Sequence, residues 1–304
     1  MKKIPLGTAL SSAPIALGCM RIAGMEEARA EALVQTALDQ GIDLFDHADI
    51  YGGGESERLF GRILKRSPGM RGRMLVQGKC GICKGYYDAS KEHILEAVDG
   101  ILNRLGLTYL DILLLHRPDA LMDPQEVAEA FTLLEKSGKV RCFGVSNQNA
   151  AQLALLNRYM NGKLMVNQLQ FGLAHTGPVD AGINVNTLND QAVMRDGSVL
   201  DYCRLHDITI QAWSPFQHGW FEGPFLSSDK YQKLNDLIGQ MAEEKGVTDT
   251  AIAVAFIMRH PARMQTIVGT TNEGRLRDIC LAATVELTRP EWYRLYLAAG
   301  NPLP

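Results

Sequence analysis

The sequence predicts an α/β chain in which eight strand and helix units close into a (β/α)8 TIM barrel. The expected chain is a single domain over residues 1–304, with the active site and any cofactor at the carboxyl ends of the strands. Three observations point there. Eight short apolar runs are continuous rather than alternating, as strands of a parallel sheet covered on both faces must be. Helical patterns separate these runs from about residue 13 to about residue 280. The chemistry-bearing polar residues stand at the downstream ends of the runs, the rim where a barrel collects its site.

In chain order the runs are residues 15–17, 44–45, 74–77, 112–115, 140–145, 166–169, 208–213 and 266–268, rich in Val, Ile and Leu. Between them the helices are clearly punctuated. Ser90 can cap a helix whose inner face is Ile94, Leu95, Val98, Ile101, Leu102 and Leu105, spacings that fit a 3.6-residue period. Asp123, Pro124 and Glu126 open another in capping-box fashion, burying Val127, Phe131 and Leu134 before Gly138 stops it. Two connections exceed the usual short length, residues 172–199 and 217–228, and both are expected to roof the pocket.

Composition limits the function classes. At 304 residues and 46% hydrophobic content the chain can bury a large core. Charged residues make up 21% with a formal net charge of -3 and no basic block, which points to small-molecule partners instead of nucleic acid or an anionic membrane. No apolar run approaches the roughly 18 residues of a spanning helix. Lys2 and Lys3 precede a mildly apolar stretch up to Cys19, but Gly7, Thr8, Ser11, Ser12 and Pro14 interrupt it, so a cytoplasmic location is expected over a secretion signal. The six cysteines read as thiols of a reduced compartment; Cys80 and Cys83 form a CxxC with no second pair to complete a zinc site, and no metal is expected. No GxGxxG follows a strand into a helix.

The segment GIDLFDHADIYGGGESE, residues 41–57, is the most informative stretch. Asp46 ends an apolar run, and a carboxylate there asks for a cation, for which Lys79 and His116 are the candidates. Taken singly, each residue also fits a structural role. Asp46 with Lys79 could be an ion pair, His116 a strand-end histidine capping a carbonyl, and Tyr51 a turn tyrosine over Gly52 to Gly54.

Together, Asp46, Tyr51, Lys79 in VQGKC and His116 in LLLHRPD resemble the catalytic tetrad of the aldo-keto reductase family, in its bacterial NADP-dependent branch. GVSN, QAWSP and IVGTTNEGR resemble its cofactor motifs, so the similarity runs from about Ile15 to Arg275 in the expected order. The resemblance implies reduction of an aldehyde or ketone with NADPH, Tyr51 acting as proton donor. A free phenol has a pKa of about 10, roughly 3 units from neutrality and about 4 kcal/mol too weak an acid. Lys79 is expected to bring that value down while Asp46 holds the ammonium and His116 orients the carbonyl.

For the cofactor, Ser146, Asn147 and Gln168 match family positions at the nicotinamide carboxamide, Trp213 the ring that stacks on the nicotinamide, and Ser214 and Phe216 the pyrophosphate side. Gly269, Thr270, Thr271 and Arg275 match the segment that holds the adenosine 2′-phosphate, which favours NADPH/NADP+. Gly269 stands where many relatives carry Lys, and Ile279 where many carry Asn. Met20 and Arg21, near the first strand end, join the long loops as candidates for substrate choice. A monomer is expected. The alternative within the same resemblance is a nucleotide-sensing regulatory subunit with little turnover.

Overall fold

The computed structural model describes residues 1–195, 197–219 and 222–303. Its centre is a closed barrel of eight parallel strands: β1 (Ile15–Gly18), β2 (Leu44–Asp46), β3 (Leu75–Cys80), β4 (Leu110–Leu115), β5 (Val140–Ser146), β6 (Leu164–Gln170), β7 (Thr209–Trp213) and β8 (Gln265–Val268). They pair in chain order, and β8 closes on β1. All eight lie where the apolar runs predict them. β2, β3 and β5 run further than expected, placing Asp46, Lys79 and Ser146 inside the ladder opposite Gln77, Leu114 and Gln168. Neighbouring parallel strands satisfy the backbone there, so a polar side chain does not end the strand.

Two apolar layers follow from strands covered on both faces. Outside the barrel, strand side chains pack on the helices in one large core. Inside, Ala16, Leu44, Ile112, Leu114, Met165, Val166 and Ile267 form a second cluster, closed at the amino-terminal mouth by Leu6. Leu6 belongs to a hairpin that the sequence reading did not foresee, Ile4–Leu6 paired antiparallel with Leu10–Ser12. Gly7 N donates to Thr209 Oγ1 at 2.9 Å and Thr209 Oγ1 donates to Pro5 O at 3.1 Å, which seats the hairpin across the bottom of the barrel.

The helices α1 (Glu27–Asp39), α2 (Glu55–Arg66), α3 (Lys91–Leu105), α4 (Pro124–Lys136) and α5 (Ala150–Met160) wrap the first half. Ser90 caps α3 by accepting from His93 N, and α3 buries every expected position except Leu95, which stays half-buried. Asp123 caps α4 through Gln125 N, two residues on, so the cap is an Asx-type turn in place of the expected capping box. After α6 (Gly177–Ile183) and α7 (Val199–Leu205), the second half is wrapped by α8 (Gln232–Lys245), α9 (Asp249–Met258), α10 (Glu273–Cys280) and α11 (Arg289–Ala298).

The connection at residues 172–199 carries α6. The buried Tyr296 on α11 donates its hydroxyl to Asp180 Oδ1 at 2.8 Å, tying α6 to the carboxyl-terminal helix. The connection at residues 217–228 folds into a short ribbon pairing Gln217–His218 with Gly223–Pro224; Trp220 and Phe221 lie outside the described residues. Among the described residues no helix is long and apolar enough to cross a membrane.

Candidate active site

At the carboxyl ends of the strands opens a cavity of about 640 Å³. Asp46, Tyr51, His116, Ser146, Asn147, Gln168, Trp213, Ser214, Phe216, Gly269, Thr270 and Arg275 are all on its wall. Of the residues singled out from the sequence, Lys79 lies fully buried behind the wall, and Thr271 is half-buried outside it. Met20 and Arg21 also face the cavity. The roof expectation holds for one loop only. Gln217, Pro224, Leu226 and Ser227 line the cavity, whereas no described residue of 172–199 does; α6 within that connection is tied to α11.

The chain reaches Tyr51 through β2. Beyond Asp46, His47 N donates to Gln77 O at 2.8 Å and Asp49 N to Lys79 O at 3.1 Å, so the pairing with β3 persists to the edge of the cavity. Tyr51 then opens a tight turn, Tyr51–Gly54, in which Gly52, Gly53 and Gly54 take φ of 59°, 62° and 87° before α2 begins. Three consecutive left-handed steps suit only glycine, and a Cβ at Gly52 would stand 2.5 Å from the Ala23 Cβ. The glycine run is therefore the local reason that Tyr51 faces the cavity.

Four side chains far apart in sequence meet here. Lys79 Nζ donates to Asp46 Oδ1 at 2.7 Å, to His47 O at 2.8 Å and to Tyr51 OH at 3.2 Å. The Tyr51 and His116 rings meet edge to face with centroids 6.0 Å apart. His116 is held by its backbone N, which donates to Cys80 O at 2.8 Å. Its Nδ1 is buried without a hydrogen-bond partner among the described residues.

Burial and charge set the protonation states. Burial pushes the His116 imidazole down to about 2, with Lys79 and Arg117 pushing the same way, so it stands neutral at physiological pH. Burial opposes the Lys79 ammonium, but Asp46 and Tyr51 beside it outweigh that and raise its pKa. For Tyr51 the sequence expectation is corrected: burial outweighs the pull of Lys79, and the phenol stands above its ordinary value. The hydroxyl keeps its proton at neutral pH, with the Lys79 ammonium 3.2 Å from its oxygen.

At the ends of β5 and β7, Asn147 Nδ2 donates to Ser146 Oγ at 2.8 Å and Trp213 Nε1 donates to Asn147 Oδ1 at 3.2 Å. Asn147 and Ser214 hold φ of 58° and 48°, left-handed conformations that non-glycine residues adopt at some cost and that gather at functional sites. After β8, Asn272 caps α10 by accepting from Arg275 N at 2.8 Å, and Arg275 is exposed at the wall. Nothing lies within 4 Å of a Cβ built on Gly269, so the space a larger side chain could use is open. Ile279, in contrast, is fully buried in the core.

The CxxC is not bonded. Cys80 is buried, its thiol pushed up by that burial, and Cys83 Sγ lies 3.9 Å from His93 Nε2. Cys83, Asp88 and His93 bring ligand atoms within 4.8 Å of one another, each half exposed. Sequence reasoning missed several wall residues, among them Arg117, Asp249 and Thr250, and the fully buried glutamines Gln77, Gln211 and Gln265. A signal for the glutamines was present: each is a long polar side chain within a short strand rich in apolar residues, in LVQGKC, TIQAW and QTIV.

Buried histidines give the fold a pH dependence. Burial lowers His47, His116 and His260 to about 3, about 2 and about 4. An unfolded histidine titrates near ~6.5, so below that pH the unfolded chain takes up protons that the folded chain refuses, and stability falls as pH drops. Glu57 acts oppositely: burial raises it to about 7 against the pull of Arg104, so its contribution is lost as pH rises through neutrality. Burial also lowers His175 and raises Asp49, so below pH ~6.5 four histidines oppose two carboxyls. Calorimetry is expected to show a thermal midpoint several degrees lower at pH 5 than at pH 7; an unchanged midpoint would contradict these shifts.

Comparison with known proteins agrees with the geometry. The family model described as Aldo/keto reductase family matches residues 14–296. The chain is 33% identical to a 6-dehydroglucose reductase of Agrobacterium fabrum, covering 99% of each protein. It is 34% identical to the uncharacterized oxidoreductase YcsN of Bacillus subtilis over the whole of both chains. Among solved structures, an aldo/keto reductase from Klebsiella pneumoniae in complex with NADP and acetate superposes with a TM-score of 0.79 at 24% identity, covering 99% of this chain and 96% of that one.

Proposed function

The chain belongs to the aldo/keto reductase family, and from that premise we propose that it reduces an aldehyde or ketone to the alcohol with NADPH, Tyr51 giving the proton. The observation that carries this reading is the Tyr51 hydroxyl on the cavity wall, 3.2 Å from a buried ammonium that is itself 2.7 Å from Asp46. The same reading takes residues 1–304 as one domain acting as a monomer.

The residues present fit a dinucleotide. Trp213 offers a ring at one side of the cavity, with the side chains of Ser146, Asn147 and Gln168 beside it for a carboxamide. Arg275 on the wall offers positive charge for a phosphate, in an α10 first turn that also carries Glu273. NADPH, when bound, supplies the hydride.

The chain's own residues handle oxygen and proton. Neutral His116 donates a hydrogen bond to the carbonyl oxygen and fixes its direction toward Tyr51. As the carbonyl carbon gains hydride, negative charge grows on that oxygen and draws the phenolic proton. The O–H bond of Tyr51 breaks, the alcohol O–H forms, and the phenolate is held by the Lys79 ammonium. Solvent then returns a proton to Tyr51. Asp46 never meets the substrate in this scheme; it keeps the ammonium charged and in place.

Arg275→Ala is expected to weaken NADPH binding by about ten-fold or more while leaving NADH nearly unchanged, since only the former carries the 2′-phosphate. Fluorescence titration with both nucleotides checks this, and equal losses would remove Arg275 from the phosphate site. The similarity to a 6-dehydroglucose reductase supports including sugars that carry a C6 aldehyde with simple aldehydes and ketones as test substrates.

A further inference from the structure

Beneath the cavity a chain of glutamine side chains runs down through the barrel. Gln77 on β3 donates from Nε2 to Asp46 Oδ1 at 2.6 Å and to Gln211 Oε1 at 2.8 Å. Gln168 on β6 repeats the pattern, to Asp46 Oδ1 at 3.2 Å and Gln211 Oε1 at 3.1 Å. Gln211 on β7 returns Nε2 to Gln77 Oε1 at 3.1 Å and to Gln265 Oε1 at 2.9 Å. Gln265 on β8 donates to Ser12 Oγ at 3.0 Å, and Ser12 Oγ donates to Asp43 Oδ1 at 2.6 Å.

The direction of this chain is fixed by chemistry. A carboxylate only accepts, so the carboxamide nitrogens of Gln77 and Gln168 must face Asp46. That choice turns the Gln211 oxygen toward both of them and its nitrogen toward the Gln265 oxygen. Gln77, Gln211 and Gln265 are fully buried, where an unmade amide bond is costly, so each amide is held by its own partners. Its upper end converges on the same oxygen, Asp46 Oδ1, that accepts from Lys79.

We propose that Gln77 and Gln211 are positioning residues of the reductase site: they hold Asp46 Oδ1 at the point where Lys79 can reach the carboxylate and the Tyr51 hydroxyl together. This rests on the reading of Tyr51 as proton donor. Gln77 supplies the shortest bond to Asp46 Oδ1, and Gln211 orients both amides that reach it. Without Gln77, Asp46 Oδ1 turns more completely to Lys79, the ammonium follows it, and Tyr51 loses its stabilising neighbour. Gln265 stands in the same ladder without touching Asp46, and so separates positioning from packing.

The test compares Gln77→Met, Gln211→Met and Gln265→Met with Tyr51→Phe. In nucleotide-free protein, ultraviolet difference titration against Tyr51→Phe isolates the Tyr51 phenol. Gln77→Met and Gln211→Met are expected to move it up by about one unit and to lower carbonyl kcat by about ten-fold or more with KM within about two-fold, and Gln77→Met, which leaves Gln168 its Gln211 partner, to keep NADPH affinity within about two-fold. Gln265→Met is expected to lose thermal stability while leaving the phenol titration and kcat as they are. If one of the first pair does not fold, the other carries the comparison. If neither folds while Gln265→Met does, the pair is structural and the proposal fails. Unshifted titration in folded Gln77→Met or Gln211→Met, or an equal shift in Gln265→Met, overturns it too. Those results leave the proton-donor reading intact as long as Tyr51→Phe remains inactive; an active Tyr51→Phe enzyme removes that reading and this proposal with it.

Discussion

Tyr51→Phe is expected to lower carbonyl turnover by about two or more decades while NADPH affinity changes by less than about two-fold. The change deletes one oxygen and keeps the ring, so the edge-to-face contact with His116 and the packing over the glycine turn survive. What disappears is the only group on this wall that pairs a transferable proton with an adjacent buried ammonium among the described residues. His116 cannot replace it, because its imidazole stands neutral with a pKa pushed down to about 2 and holds no second proton to give near neutrality. Single-turnover measurement of NADPH oxidation with a bound carbonyl reads the loss directly. Turnover equal to that of the unsubstituted protein would assign the proton to another donor.

Lys79→Met is expected to be costly twice. Removing the ammonium leaves Asp46 buried with amide donors but no countercharge, a loss on the order of 3–5 kcal/mol of stability for breaking a buried pair. It also strips the phenolate of its stabilising neighbour, so turnover falls by about two or more decades. The two effects separate in the double variant Lys79→Met with Asp46→Asn. An asparagine oxygen still accepts from Gln77 and Gln168 while carrying no charge, so much of the thermal stability returns and turnover does not. Recovery of both together would mean that the ion pair only holds the fold.

Much of this was legible in the sequence because it is written locally. Continuous apolar runs specify strands covered on two faces, and Ser90 and Asp123 announce helix starts through one side chain each. Asp46 and Lys79 were readable for a related reason: charge at the end of an apolar run implies a partner, and only a few residues could supply one. The glycine run after Tyr51 was visible too, though its left-handed turn required coordinates.

What escaped depends on distance and depth. Gln77 meets Gln211 across 134 residues, and nothing in either strand says which glutamine the other will face. The Tyr51 phenol was expected to fall because Lys79 is a neighbour in the resemblance; it rises because the depth of burial, which no motif encodes, weighs more. Residues 172–199 read as a second roof because the connection is long and leaves a strand carboxyl end, yet Tyr296 holds α6 to α11 through Asp180. The amino-terminal hairpin was hidden because Leu6 is a single anchor between Pro5 and Gly7, with no periodicity to show that it plugs the barrel.

The most direct measurement is steady-state NADPH consumption by the purified protein against a panel of aldehydes, ketones, quinones and sugars with a C6 aldehyde, run beside Tyr51→Phe. Carbonyl-dependent consumption that yields the alcohol, and that the tyrosine variant lacks, is the expected result. Tight NADPH binding with no turnover on any carbonyl of the panel would contradict it and mark the chain as a nucleotide-sensing subunit.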